Sequence, residues 1–157
     1  MDPIEEIVTT FVSPHFPFLT MPRRVICPDQ EQEDAMLAAL ELALRAKEYP
    51  LHVVDLRPSP ADRLNALTEQ LVRATDVGSE DLSRSPTFVR AVLGLDLLEG
   101  FDNEEPIYPF RSRFQFDRTS YWLFVGRDKE RMRRLFKNRN LPLYEAAFDM
   151  TPAGWKT

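Results

Sequence analysis

The segment Ser120-Tyr121-Trp122-Leu123-Phe124-Val125-Gly126, with a basic amphipathic stretch directly behind it, does most to limit the folds open to this chain. A short apolar run bounded by small and polar residues reads as a strand. Asp128 stands where an N-cap belongs, and Met132, Leu135 and Phe136 recur at helical spacing to give the next segment one buried stripe. A strand feeding a helix is the unit from which parallel sheets are built.

The same order is written earlier in the chain. Arg24 to Cys27 reads as a short strand, and Pro28-Asp29 opens a helix in which Asp29 caps and Gln32 completes a capping box. Glu31, Glu33 and Asp34 place negative charge where the helix dipole favours it, while Met36, Leu37, Leu40 and Leu44 give a broad apolar face. That helix is expected to end near Lys47 or Glu48. Leu51 to Leu56, between Pro50 and Pro58, is nearly continuous in apolar character, which predicts an interior strand covered on both faces. Ser59-Pro60-Ala61-Asp62 carries the signs of another helix start, followed by Leu64, Leu67, Leu71 and Val72 on one face.

Residues 4 to 12 suit a short opening helix, and Tyr144 to Met150 a closing strand with Ala146 and Phe148 on one face. Phe88 to Leu98 fits either a helix or a helix running into a strand, with Gly94 against both. The whole predicts one α/β domain over residues 1–157. It has three layers, with a mainly parallel sheet of about five strands and helices on both faces.

Such a sheet commonly handles phosphate, but the five glycines stand apart at 78, 94, 100, 126 and 154, and none is followed by lysine. A phosphate-binding loop needs clustered glycines so that backbone N–H groups approach the phosphates, with a lysine to meet their charge. The reading is therefore a P-loop-like sheet without a phosphate loop, and no cofactor is expected. Cys27 is the single cysteine, so no internal disulfide can form, and the acidic opening Met1-Asp2-Pro3-Ile4-Glu5-Glu6 does not resemble a signal peptide. No stretch approaches the roughly 20 apolar residues of a membrane span. A soluble, cytoplasmic protein with no membrane partner is expected.

Ligands of open α/β sheets sit beyond the carboxyl ends of the strands. Those ends carry Asp29, Arg57, Asp96 or Glu99, and Arg127 with Asp128. Leu95-Asp96-Leu97-Leu98-Glu99 could serve as a metal-binding acidic strand end with Arg127 as a phosphate sensor. Acids that interrupt apolar runs are more often the solvated side of a helix. Asp55 beside Arg57 admits acid/base chemistry, though a lone carboxylate at a strand end more often pairs locally. His15 and His52 lack neighbouring ligands at metal-binding spacing, and Cys27 has no basic helper beside it.

The charge distribution points elsewhere. Formal charge is −5 overall, yet residues 127–139 hold seven cations and two acids, which puts +5 there and −10 on the remainder. Arg127, Arg131 and Arg134 follow i, i+4, i+7 spacing, with Lys137 and Arg139 extending the face. Such a face grips an acidic protein surface or a phosphate backbone, or is simply solvated. Arg111 and Arg113, interleaved with Phe110 and Phe114, form a second candidate surface.

Tyr108-Pro109-Phe110-Arg111-Ser112, the apolar strand, Gly126, Leu135-Phe136 and Tyr144-Glu145-Ala146-Ala147-Phe148 together resemble the C-terminal half of the BrxB-like family of small bacteriophage-exclusion proteins. That resemblance implies a cytoplasmic accessory component of a multi-protein antiphage system and carries over no catalytic residue. Residues 121–148 also resemble the sensor strand and following helix of archaeal-type ATPases, which implies an AAA-like ancestry with the catalytic half lost. The expectation is a non-catalytic accessory or scaffold component that docks through Arg127, Arg131, Arg134 and Lys137, with Arg111 and Arg113 second. The alternatives are a nucleic-acid-binding accessory protein using the same helix, and a divergent nucleotide- or phosphate-ester-processing enzyme using Asp55 and Asp96 with a divalent cation.

Overall fold

A computed structural model describes residues 2–13, 21–58, 88–99, 111, 120–139, 143 and 145–156. Helix α1 runs Pro3–Phe11, with proline in its first turn and Glu5 and Glu6 beside the positive end of its dipole. Strand β1, Arg23–Ile26, leads into α2, Gln30–Arg45. The predicted cap is present: Asp29 accepts a hydrogen bond from the Gln32 N–H at 2.8 Å. α2 stops slightly before the predicted end, and the chain turns through Glu48, which adopts a left-handed φ of 65°.

β2, Leu51–Asp55, is followed by β3, Phe88–Leu93, and a 3-10 turn, Leu95–Leu98. β4, Ser120–Gly126, leads to α3, Lys129–Lys137, which is followed by the two-residue β5, Phe148–Asp149, and a 3-10 turn, Ala153–Trp155. The ambiguous piece from Phe88 is thus a strand. Gly94, at φ +76°, supplies the left-handed residue that turns it into the 3-10 segment. The predicted closing strand is reduced to its last part, with Ala146 preceding it and Phe148 exposed. The helix expected from Ser59 and the loop from Gly78 lie outside the described residues.

Among the described residues the sheet has five strands in the order β2-β3-β4-β1-β5, and every pairing is parallel. Alternation along β4 divides the core. Tyr121, Leu123 and Val125 point to the face covered by α1 and α2, where Ile7, Phe11, Met36, Leu40 and Leu44 pack. Trp122 and Phe124 point to the opposite face, where α3 lays down Met132, Leu135 and Phe136. This is the expected three-layer α/β arrangement. Met132 fits closely because Gly126 has no side chain: a Cβ there would stand 2.4 Å from the Met132 sulfur.

One expectation is overturned. Among the described residues β2 is the outermost strand of the sheet, with His52 and Val53 exposed, and is not an interior strand. Apolar character reports burial preference, whereas strand position is decided by where the connection places the strand. At the edge, His52 packs on the Phe88 ring at 4.6 Å between centroids.

Strand order also locates the crevice. From β1 the chain crosses to β2 on one side of the sheet, and from β4 it crosses to β5 in the other direction. β1 and β4 are adjacent, so the topological switch point falls between them, at their carboxyl ends.

Candidate functional site

Two loops flank that crevice: Cys27-Pro28-Asp29 after β1 and Arg127-Asp128 after β4. Arg127 precedes α3 and lies on the bend at the strand end, so it is not part of the helical face with which sequence spacing grouped it. Its guanidinium reaches across the switch point. Nη2 donates to Oε1 of Gln30 and, at 3.4 Å, to Oε1 of Glu33, both on the first turn of α2.

Arg57 arrives at the same carboxylate from the end of β2. Its Nη1 donates to Glu33 Oε1 at 2.7 Å and to Gln30 Oε1 at 2.9 Å. Its Nε and Nη2 grip the two oxygens of Asp55, each at 2.8 Å, in a bidentate fork. The hydrogen bonds from Arg57 hold the Asp55 carboxyl below its ordinary range, and the same pair raises Arg57. Glu33 is 1% exposed, whereas Arg57 and Arg127 keep 27% and 36% of their side chains in solvent. Two acids and two arginines therefore close the crevice with balanced charge. Among the described residues, Arg127 Nε is the one buried side-chain nitrogen or oxygen without a hydrogen-bond partner.

Asp96, in the 3-10 turn after β3, accepts from the Asp128 backbone N–H at 3.1 Å and so ties neighbouring strand ends together. Asp128 in turn caps α3 through the Arg131 N–H at 3.0 Å. Asp55 and Asp96 are thus each engaged within the chain. Among the described residues no group of three or more His, Cys, Asp or Glu side chains is placed to hold a metal ion. Cys27 is buried with its Sγ 3.9 Å from the Met36 sulfur, and burial pushes its thiol up to about 12.

The arginines of α3 are also engaged. Arg134 donates to both oxygens of Glu99, at 2.8 and 3.3 Å, and Arg131 lies 3.9 Å from both Glu99 and Asp128. Arg131 and Arg134 are therefore brought together, but around an acid of the chain itself. Arg111 is half-buried, and Arg113 lies outside the described residues. Lys137 sits on a different side of the helix, in a stripe with Lys129 and Arg133 at i, i+4, i+8.

That stripe borders a cavity of about 280 Å³ lined by Arg24, Ile26, Lys129, Met132, Arg133, Lys137, Asp149 and Lys156. Arg24 is held beneath it, stacked 4.9 Å over Phe136 and donating to the Ala147 carbonyl, and burial lowers its pKa. Sequence spacing counts Lys129 and Arg133 only in the charge of the basic segment and Glu33 only as a first-turn acid, and groups neither into a site. The first was detectable as a second helical stripe, and the second as an acid on the apolar line of Met36, Leu40 and Leu44.

No family model matches the chain, and no curated protein sequence matches it. Among the described residues no helix is long and apolar enough to cross a membrane.

Proposed function

We propose that this chain is a non-catalytic accessory or scaffold component of a multi-protein bacterial assembly, docking through α3. The observation that carries the proposal is the clasp of Arg57 and Arg127 on Glu33. The switch-point crevice is where a doubly wound sheet receives a phosphate-bearing ligand. Here the two arginines best placed to meet phosphate are turned onto a buried carboxylate, and the loop after β1 is Cys27-Pro28-Asp29, without glycine. An incoming phosphate would meet the negative charges of Glu33 and Asp55 and would have to displace several charge-assisted hydrogen bonds.

A P-loop-like origin without the phosphate loop accounts for the retained sheet, and the resemblance to BrxB-like proteins suggests phage defence as the setting. With the crevice closed, the charged surface of α3 is left to meet a partner. Isothermal calorimetry with magnesium-ATP tests the proposal. No heat of binding is expected, and saturable heat that vanishes in Arg127→Met would overturn it in favour of the nucleotide-processing alternative. Retention on duplex DNA that falls steeply with salt would instead favour the nucleic-acid reading.

A further inference from the structure

The reading of this chain as a docking component leaves open which face of α3 docks and what it receives. The face with Arg131 and Arg134 is a poor candidate, because Glu99 already lies against both arginines and Asp128 against Arg131. The neighbouring face differs in charge and in shape. Around the cavity of about 280 Å³, the described residues set five cationic side chains, Arg24, Lys129, Arg133, Lys137 and Lys156, against one acid, Asp149. Its apolar walls come from Ile26 of β1 and from Met132, which is buried.

The partners of these cations decide what kind of anion suits them. Arg24 is committed to the Ala147 carbonyl and Arg133 to Glu130 at 2.8 Å. Lys129 donates to the Lys156 carbonyl, and Lys156 lies 3.8 Å from Asp149. What remains among the described residues is ammonium charge spread around an apolar floor. A single phosphate is held best by converging donors and bidentate arginine, whereas lysines act as separate point charges. Several carboxylates distributed around one apolar side chain match that pattern. The −10 carried outside residues 127–139 further disfavours an extended polyanion such as duplex DNA.

We propose that the cavity between α3 and the β1–β5 edge is a docking site for an acidic protein segment. One apolar side chain of the partner enters against Ile26 and Met132, and its flanking carboxylates reach Lys129, Lys137 and Lys156. This proposal rests on the docking reading and adds the partner's chemistry to it.

The test is a titration of the ¹⁵N-labelled full chain at low ionic strength with the capped pentapeptide Glu-Glu-Leu-Glu-Glu, followed by amide chemical shifts. Shifts should concentrate at Ile26, Met132, Arg133 and Lys137. Affinity should fall when leucine in the peptide is replaced by serine. The double variant Lys129→Glu, Lys137→Glu should bind roughly tenfold more weakly or worse, and Arg131→Ala should leave binding almost unchanged. Both lysines are exposed, so the fold should survive. If charge reversal nevertheless unfolds the chain, the Lys129→Gln, Lys137→Gln variant gives the same comparison with a smaller loss.

Absence of shifts up to millimolar peptide, shifts centred on Arg131 and Arg134, or equal binding of the serine peptide would each overturn the site. A stronger response to inorganic phosphate or to an oligothymidylate would overturn the acidic-segment assignment. The magnesium-ATP calorimetry above stands apart from these outcomes: heat there removes the docking reading, whereas peptide failure without such heat removes this site alone.

Discussion

Replacing Glu33 by glutamine should reveal how much of the fold depends on the clasp at the switch point. The substitution keeps shape and one oxygen but removes the charge that Arg57 meets at 2.7 Å and Arg127 at 3.4 Å. Hydrogen bonds to charged groups contribute about 1.5–3 kcal/mol each, and removing one partner of a wholly buried pair costs about 3–5 kcal/mol. Both arginines keep about a third of their surface in water, so they rehydrate, and the longer contact adds little. The expected loss is about 2 kcal/mol. In a domain of this size that lowers Tm by about 4–8 °C. Thermal melts followed by circular dichroism at neutral pH measure it. Because the carboxylate is buried, the difference should persist in high salt, unlike that of a surface pair. A loss under about 0.5 kcal/mol, the range of exposed ion pairs, would refute the argument that the clasp is a structural closure.

Arg57→Gln should flatten the acid side of the stability curve. In the wild type the folded Asp55 titrates below its unfolded value, so its stabilisation is complete above the ordinary carboxylate range and fades as pH falls through the folded value. Urea unfolding at neutral pH and near pH 3 should show a smaller drop for the variant, and an equal drop would refute the assignment. Gly94→Ala should cost about 1–2 kcal/mol, because that residue sits at φ +76° and a Cβ there would stand 2.8 Å from Arg57 Cγ; an unchanged urea midpoint would count against the left-handed turn. Cys27 should resist a thiol-specific disulfide reagent at neutral pH and react at full rate only in denaturant, since the thiol is buried and pushed up to about 12.

Local signals account for the parts of the fold that were legible in advance. The Asp29 cap, the Met36-Leu40-Leu44 stripe, the apolar β4 and the Met132-Leu135-Phe136 face are all decided within a few turns or a single strand. The edge position of β2 was not legible, because the composition of Leu51–Asp55 says nothing of how many neighbours the strand acquires. Glu33 illustrates the same limit at the site. Its place near a helix start predicts only a favourable interaction with the helix dipole. Its burial depends on Arg57 and Arg127, which reach it from 24 and 94 residues away. Spacing alone groups Arg127 with Arg131 and Arg134, but α3 begins two residues after Arg127 and the grouping dissolves.

The position of β1 has a consequence for synthesis. Both of its hydrogen-bonded neighbours, β4 at residues 120–126 and β5 at 148–149, are made long after it. At ordinary elongation rates of about 5–20 residues per second, this strand waits on the order of ten seconds for its first neighbour. During that interval Val25 has neither of its strand neighbours, and a ribosome-bound intermediate should present it to holdase chaperones or to unwanted strand pairing. Stalling translation before residue 120 is expected to leave a protease-sensitive nascent chain, and stalling it well beyond residue 149 a resistant one.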